Sequence, residues 1–357
     1  MEYIIIFLIS IYFSYLTEKR IDRNNSHIIT SILAVMPLIV MAGIRDKYVG
    51  IDVTWYVEPS YIIARKVENL SAFFYEYGDG ADYGFCIFVY LITKIFGSFF
   101  GIMAFCHAII VIGWFYFLVY FKKTYKISLT FGFAIILISQ YNESLCLIRQ
   151  SMATSVALLG YVFMLQRRYI LSIILCLVAL SFHQTIISFI LAFVGFDIIL
   201  RKITNVRKQY ILLFLLFFFV IVFAPLLDII SIYVSEKYIE RMTYTEGNRG
   251  GYITLYFYIF LVLLPFILKN KNKISSFLYL PVIGVVFLIL SKQSQYLSRL
   301  AYPFMSCLMV TVPYGVQNKY MRFIILIAFS VLWYVSIYMR KDWATVPYVI
   351  DPNMNFY

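Results

Sequence analysis

Charged side chains are scarce in this chain. Asp, Glu, Lys and Arg together make up 13% of its 357 residues, whereas a soluble domain carries about 25%. That excludes an ordinary soluble globular fold. Histidine is rare, with three residues, and the five cysteines, Cys86, Cys106, Cys146, Cys176 and Cys307, are scattered, mostly inside apolar runs. Neither a metal-ligand spacing nor a disulfide framework results. A Gly-rich phosphate loop, HExxH, DxD and GxSxG are all missing, and with them the usual anchors of nucleotide, zinc or hydrolase chemistry. Without a DxD-type pair or a His/Cys cluster nothing supports a tightly bound metal, and no cofactor is expected. There is no Gly/Ser linker, tandem repeat or low-complexity tract.

Apolar residues are abundant, at 62%. Apolar runs of roughly 15 to 23 residues recur along the whole length, the mark of a polytopic membrane protein. Hydrocarbon satisfies no backbone polar groups, so spans must be helices or a closed barrel. The runs are continuous rather than alternating, which excludes the barrel. The first, YIIIFLISIYFSYL, has no basic region before it and no small-residue cleavage site after it. It reads as a retained span rather than a signal peptide.

Hydropathy places spans near 3–16, 28–44, 99–121, 128–141, 145–165, 169–182, 184–200, 210–228, 252–268, 275–290, 300–314 and 323–338. The expected fold is an all-α bundle of about twelve spans, forming one polytopic domain over 1–357. Positively charged loops face the cytoplasm. With twelve spans, one side collects Lys19/Arg20/Arg23, Lys122/Lys123/Lys126, Arg167/Arg168, Arg201/Lys202/Arg207/Lys208, Lys269/Lys271/Lys273 and Lys319/Arg322. The net charge of +12 then follows from topology, and no nucleic-acid partner is implied. Both termini fall outside. A further apolar piece, YGFCIFVYLITKIFG (83–97), would flip every later cluster outward if it crossed. It is expected to be a re-entrant or interfacial helix on the outer face, within an extracytoplasmic segment 45–98. A second outer loop covers 229–251.

The remaining basic residues lie outside or in the outer halves of spans, and Arg dominates among them. Arginine grips phosphate or carboxylate with two parallel N–H donors. Arg149, in SLCLIRQSMATSVALLGYVF, is either an anchor reaching the outer headgroups or an anion ligand lining an outward cavity. Gln150 follows it, and Ser151, Ala153, Thr154, Ser155 and Ala157 permit close helix contact. His183, in LVALSFHQTIISF, falls at a tight outer turn at the depth of Arg149. It is either a satisfied polar core residue or a base or phosphate donor. Arg299 opens the span LAYPFMSCLMV and has Tyr302 three residues on, hence on the same helix face. In GIRDKYVGIDVTWY (43–56), Arg45, Asp46 and Lys47 form either a neutralised loop or the start of an anion site. Asp52 and Tyr56, four apart, share a face if that piece is helical. Glu58, Glu76, Asp79 and Asp82 make the outer segment acidic. A carboxylate there can accept a proton from a sugar hydroxyl or hold an arginine in place.

Several of these pieces resemble the EpsG/Wzy family of bacterial polysaccharide polymerases. GIRDKYVGIDVTWY is similar to a pattern of Gly-x-Arg, a short gap, Gly-x-Asp, then Tyr, which includes Gly50. DYGFCIFVYLITKIFG is similar to an acidic-x-Gly-Phe helix, with Asp82 where Glu is usual. IRQSMATSVALLGYVFMLQRRYILSIILCLVALSFHQTIISF resembles an Arg-Gln-x-x-Ala segment followed by Ala-x-x-Phe-His-x-Ser, with Thr185 in the last place. SRLAYPF resembles the C-terminal Arg-aromatic segment, and VPYVI, with Tyr348, the terminal Pro-Tyr. The matches lie in order over about 41–350.

The resemblance implies a glycosyltransferase-C-like enzyme of the bacterial cytoplasmic (inner) membrane. Such a protein joins oligosaccharide repeat units carried on undecaprenyl diphosphate, on the outer face, as in O-antigen, capsule or exopolysaccharide. Donor and acceptor are both lipid-linked. A flippase and a chain-length regulator of the same pathway, with membrane lipids, are the implied partners. Charge develops on diphosphate oxygens as the leaving group departs, and preorganised guanidinium forks stabilise it without a metal. On this reading Arg149 and Arg299 hold the diphosphate, with Gln150, His183 and Tyr302 in support. Arg45 grips a second diphosphate or a sugar. Asp52, or else His183, is the base for the acceptor hydroxyl. Two other readings remain: an O-antigen ligase or other lipid-linked-sugar glycosyltransferase, and a lipid-linked oligosaccharide transporter. Against the transporter, no internal repeat is visible and the polar residues gather toward one face rather than the midplane.

Overall fold

The computed structural model describes residues 2–77, 82–202, 211, 252–268, 275–291, 295–341 and 345–351. The expected span 210–228 (but for residue 211), the loop 229–251 and the basic cluster Lys269/Lys271/Lys273 lie outside the described residues, as does Asp79. Among the described residues the regular elements are helical, and the chain is an all-helical membrane protein. Among the described residues three helices are long and apolar enough to cross a membrane: Phe99–Tyr125, Ile148–Leu165 and Lys319–Met339. Six apolar helices are shorter, including Ile28–Ile44, Tyr83–Phe96 and Tyr252–Leu268.

The chain forms two compact units, Met1–Ile186 with Lys319–Tyr357, and Ile187–Asn318. The first contains α1 (Glu2–Asp22), α2 (Ile28–Ile44), a π turn at Val53–Val57, α3 (Glu58–Lys66), α4 (Leu70–Tyr77) and α5 (Tyr83–Phe96). It continues with α6 (Phe99–Tyr125), α7 (Leu129–Ile136), a π turn at Leu137–Tyr141, α8 (Asn142–Cys146), α9 (Ile148–Leu165) and α10 (Tyr169–Phe182). The helix Lys319–Tyr334 packs on α7. The second unit pairs Leu280–Leu290 with Gln295–Ser306, and Tyr252–Leu268 with Leu308–Gly315.

Helix α1 runs past the expected end of its apolar stretch, because its charged last turn has work to do. Glu18 accepts from Lys122 Nζ at 3.2 Å, and from the backbone and hydroxyl of Thr130 at 2.9 and 2.6 Å. One carboxylate thus ties α1 to the end of α6 and the start of α7. The centre of the unit is α6, packed against α2 and α9, with α10 next to α9. The small residues of α9 allow that approach: Ser155 Oγ donates to the Ile110 carbonyl of α6 at 2.7 Å. Trp114, Phe117 and Phe121 of α6 are fully buried, and between membrane helices such contacts act through van der Waals packing.

Residues 58–96 form a small core of their own around Ala64, Val67, Phe73, Cys86 and Tyr90. Lys94, unexpected in so apolar a helix, donates to the Val67 carbonyl at 2.6 Å. It closes the C-terminal end of α3, where a helix leaves carbonyls unsatisfied. Tyr90 does the same for the Glu68 carbonyl at 2.9 Å. The far end of the chain returns to this region. Arg45 bridges Ile350 antiparallel, with Asp46 N donating to Val349 O at 2.8 Å and Asp351 N to Ile44 O at 3.0 Å.

Candidate functional site

Arg149 is the second residue of α9. Leu147, the residue before α9, has φ −98° and ψ 57°, which interrupts the helix between α8 and α9. The guanidinium therefore sits at the start of an 18-residue helix, the end whose dipole favours anions and opposes a cation. A carboxylate offsets this. Arg149 Nη1 lies 3.0 Å from Asp82 Oδ2. The same oxygen lies 3.0 Å from His183 Nδ1.

Asp82 stands at the N-cap position of α5 but makes no side-chain cap bond there. Its carboxylate is turned away from its own helix and toward Arg149 and His183. His183 ends α10 in extended backbone (φ −165°, ψ 126°), at the tight turn expected from the sequence. Gly84 lets α5 approach this corner. A Cβ there would stand 2.6 Å from Ser181 Cβ and 2.8 Å from its carbonyl carbon.

Tyr56 completes the cluster. The Arg149 guanidinium lies 3.7 Å from its ring centroid, a stacked cation–π contact. Tyr56 belongs to the π turn, a helical irregularity that recurs at functional sites. Its i→i+5 bonding loosens the i, i+4 alignment with Asp52 that an α-helix would give. The Tyr77 hydroxyl donates to the Tyr56 carbonyl at 3.0 Å, and burial pushes the Tyr77 phenol up to about 12, so it stays protonated and remains a donor.

The side chains of Asp82, Arg149 and His183 are 9%, 15% and 18% exposed. They are neither sealed in nor solvated. Arg149 Nε is buried without a hydrogen-bond partner. A proton on His183 Nδ1 is required for it to donate to the carboxylate, which leaves Nε2 as the lone-pair nitrogen of the neutral ring. The cluster therefore offers an incompletely satisfied guanidinium and an oriented imidazole base side by side.

The other expected site residues fall elsewhere. Gln150 is buried beside Arg149 on α9. Arg45 is fully enclosed, at 0% exposure, with Nε, Nη1 and Nη2 all lacking hydrogen-bond partners. Tyr348 is part of its enclosure. The Tyr348 hydroxyl donates to the Met41 carbonyl, and its ring meets Tyr3 edge-on at 5.5 Å. Gly50 has φ +99°, and a Cβ there would run into the Leu145 carbonyl, so only glycine fits. Asp52 is partly exposed just ahead of the π turn. Arg299 and Tyr302 belong to the second unit, on Gln295–Ser306, where Arg299 is exposed and Tyr302 buried.

Two members of the cluster, Asp82 and Tyr77, were not singled out as site residues from the sequence. Asp82 had a signal, since it fills the acidic place of the Gly-Phe helix pattern. Read alone, it is one acid among several in an acidic segment.

Neither a curated protein nor a solved structure matches this chain. The EpsG family model matches residues 28–350, a stretch that contains every residue of the cluster. The family carries a general polysaccharide polymerase-like role. With that match over nearly its whole length, the chain belongs to the EpsG family.

Proposed function

We propose that this protein is a polysaccharide polymerase that transfers a growing glycan from its lipid diphosphate to a hydroxyl of a second lipid-linked repeat unit. The observation that carries the reading is the single carboxylate oxygen of Asp82 shared by Arg149 and His183. It holds an anion-binding group and a base in one geometry.

In the proposed reaction the acceptor oxygen attacks the anomeric carbon of the donor glycan. The carbon–oxygen bond to the diphosphate breaks, and its electron pair stays on the diphosphate. Arg149 stabilises that developing charge, helped by the positive end of α9. Stacking on Tyr56 keeps the guanidinium plane fixed for phosphate oxygen. His183 Nε2 takes the acceptor proton, with Asp82 orienting the ring and stabilising the imidazolium that forms. Undecaprenyl diphosphate on the outer face of the cytoplasmic membrane is the carrier and place this chemistry fits. Arg299, with Tyr302 in support, is proposed as a phosphate ligand within the second unit. His183 takes the place of Asp52 as first candidate for the base, because the imidazole shares its carboxylate partner with Arg149.

Arg45 belongs to the proposal differently. A guanidinium enclosed with three orphaned nitrogens costs several kcal/mol, and ionisable groups at such places are as a rule retained for function. It is the candidate for a second anion ligand in this reading. The test is repeat-ladder formation in a polymerase-deletion strain complemented with single variants. Loss of ladders in Arg149→Ala and His183→Ala, with normal membrane levels of each protein, supports the assignment. Full-length ladders from both would remove it.

A further inference from the structure

A concavity lies beside α3, the helix that follows the π turn carrying Tyr56. It is a half-open pocket of about 220 Å³ lined by Asp46, Lys47, Glu58, Tyr61, Ile62, Phe99 and Asp351. Tyr56 faces Arg149. Glu58, Tyr61 and Ile62, at i, i+3 and i+4, form one face of α3. Pocket and cluster share no lining residue.

Every wall of the pocket is pinned. The Asp46 N–Val349 O and Asp351 N–Ile44 O bonds fix the backbones that carry Asp46 and Asp351. Lys47 Nζ lies 2.7 Å from Glu58 Oε1, and this carboxylate holds the ammonium above its usual range. Tyr61 donates to the Gly97 carbonyl at 3.0 Å, and its ring lies 5.5 Å from that of Phe99. The lining carries three carboxylates and one ammonium, so it repels a diphosphate. Carboxylates are strong acceptors for hydroxyl donors. The negative face of an aromatic ring attracts the C–H side of a neutral ring. Pinned walls spare the ordering cost of binding.

We propose that this pocket is a saccharide subsite that takes a neutral, hydroxyl-bearing sugar ring of the repeat unit and rejects its diphosphate end. The inference rests on the glycosyl-transfer reading above and divides the work between pocket and cluster. The anion goes to Arg149, and the glycan is held at Asp46, Asp351 and Phe99.

The experiment uses the detergent-solubilised full chain carrying Ile62→Cys. Ile62 is 42% exposed, and the five native cysteines are all buried, so a maleimide reports on the pocket. The probes are the host's repeat-unit oligosaccharide, released from its lipid diphosphate by mild acid, and inorganic pyrophosphate. The oligosaccharide is expected to slow labelling several-fold and pyrophosphate to leave it unchanged. Asp46→Asn with Asp351→Asn should abolish the protection without changing the unprotected labelling rate. Saturation-transfer NMR on the unsubstituted protein should show contact from the same oligosaccharide. No protection and no transfer, or equal protection by pyrophosphate, overturns the subsite. The two readings fail separately. Ladders that survive Arg149→Ala remove the diphosphate assignment, whereas absent protection alongside Arg149-dependent ladders removes only the subsite.

Discussion

His183 Nδ1 lies 3.0 Å from Oδ2 of Asp82, a contact made across 101 positions of sequence. Arg149 Nη1 meets that oxygen from a third helix, also at 3.0 Å. One carboxylate therefore sets the distance between the imidazole and the guanidinium, and much of what can be tested begins with it.

Replacing Asp82 by Asn keeps the shape and removes the charge. The amide must then satisfy both a guanidinium and an imidazole N–H with one carbonyl oxygen. A hydrogen bond to a charged group is worth about 1.5–3 kcal/mol, so turnover should fall about 10- to 100-fold. His183→Ala should fall further, by about 100- to 10,000-fold, the usual range for a general base. Single-turnover rates with purified protein and lipid-linked repeats check the order. Asp82→Asn at full rate would leave the shared carboxylate without a catalytic part.

Tyr56 acts through its ring rather than its hydroxyl. Tyr56→Phe should therefore retain most activity. Tyr56→Leu should lose the cation–π contact, worth about 0.5–2 kcal/mol, with weaker donor binding and a rise in KM as the first sign. The measurement is KM for lipid-linked donor in the two variants side by side.

Gly84 holds α5 and α10 together by lacking a side chain. Gly84→Ala pushes a methyl into Ser181, 2.6 Å from its Cβ. Overpacking of this kind costs about 1–3 kcal/mol and displaces Asp82 with it. Thermal unfolding in detergent should show a lower Tm. Adding Ser181→Gly should recover part of the loss, since the backbone carbon of residue 181 remains close.

Arg45→Met tests stability against function at one position. Removing an enclosed guanidinium with no hydrogen-bond partner should leave Tm unchanged or raise it, while ladders shorten. Lower Tm with normal ladders would make Arg45 a structural residue.

The sequence shows most helices through hydropathy, because burial in lipid and burial in protein demand the same apolar surface. The run 28–44 and the helix Ile28–Ile44 coincide, as do 252–268 and Tyr252–Leu268. Charged helix ends are harder to see. The last turn of α1 continues because Glu18 finds Lys122 and Thr130, partners with no local trace. Lys94 looks misplaced in α5 until the Val67 carbonyl is known. Arg149 and His183 stand out because charge is rare in apolar runs. Asp82 does not, because an acid just before a helix already has an ordinary explanation as an N-cap. Arg45 reads as a loop arginine, and is enclosed because Tyr3, Tyr141, Cys146 and Tyr348, all distant in sequence, gather round it.

The most direct test of the central claim is polymerisation in vitro by the purified chain, with defined lipid-diphosphate-linked repeat units as donor and acceptor, read as a gel ladder. The wild-type chain should build a ladder from these units alone. Arg149→Ala, folded to the same Tm, should leave the starting units unjoined. A full ladder from Arg149→Ala, or no ladder from the wild-type chain until a different acceptor is supplied, would contradict the account.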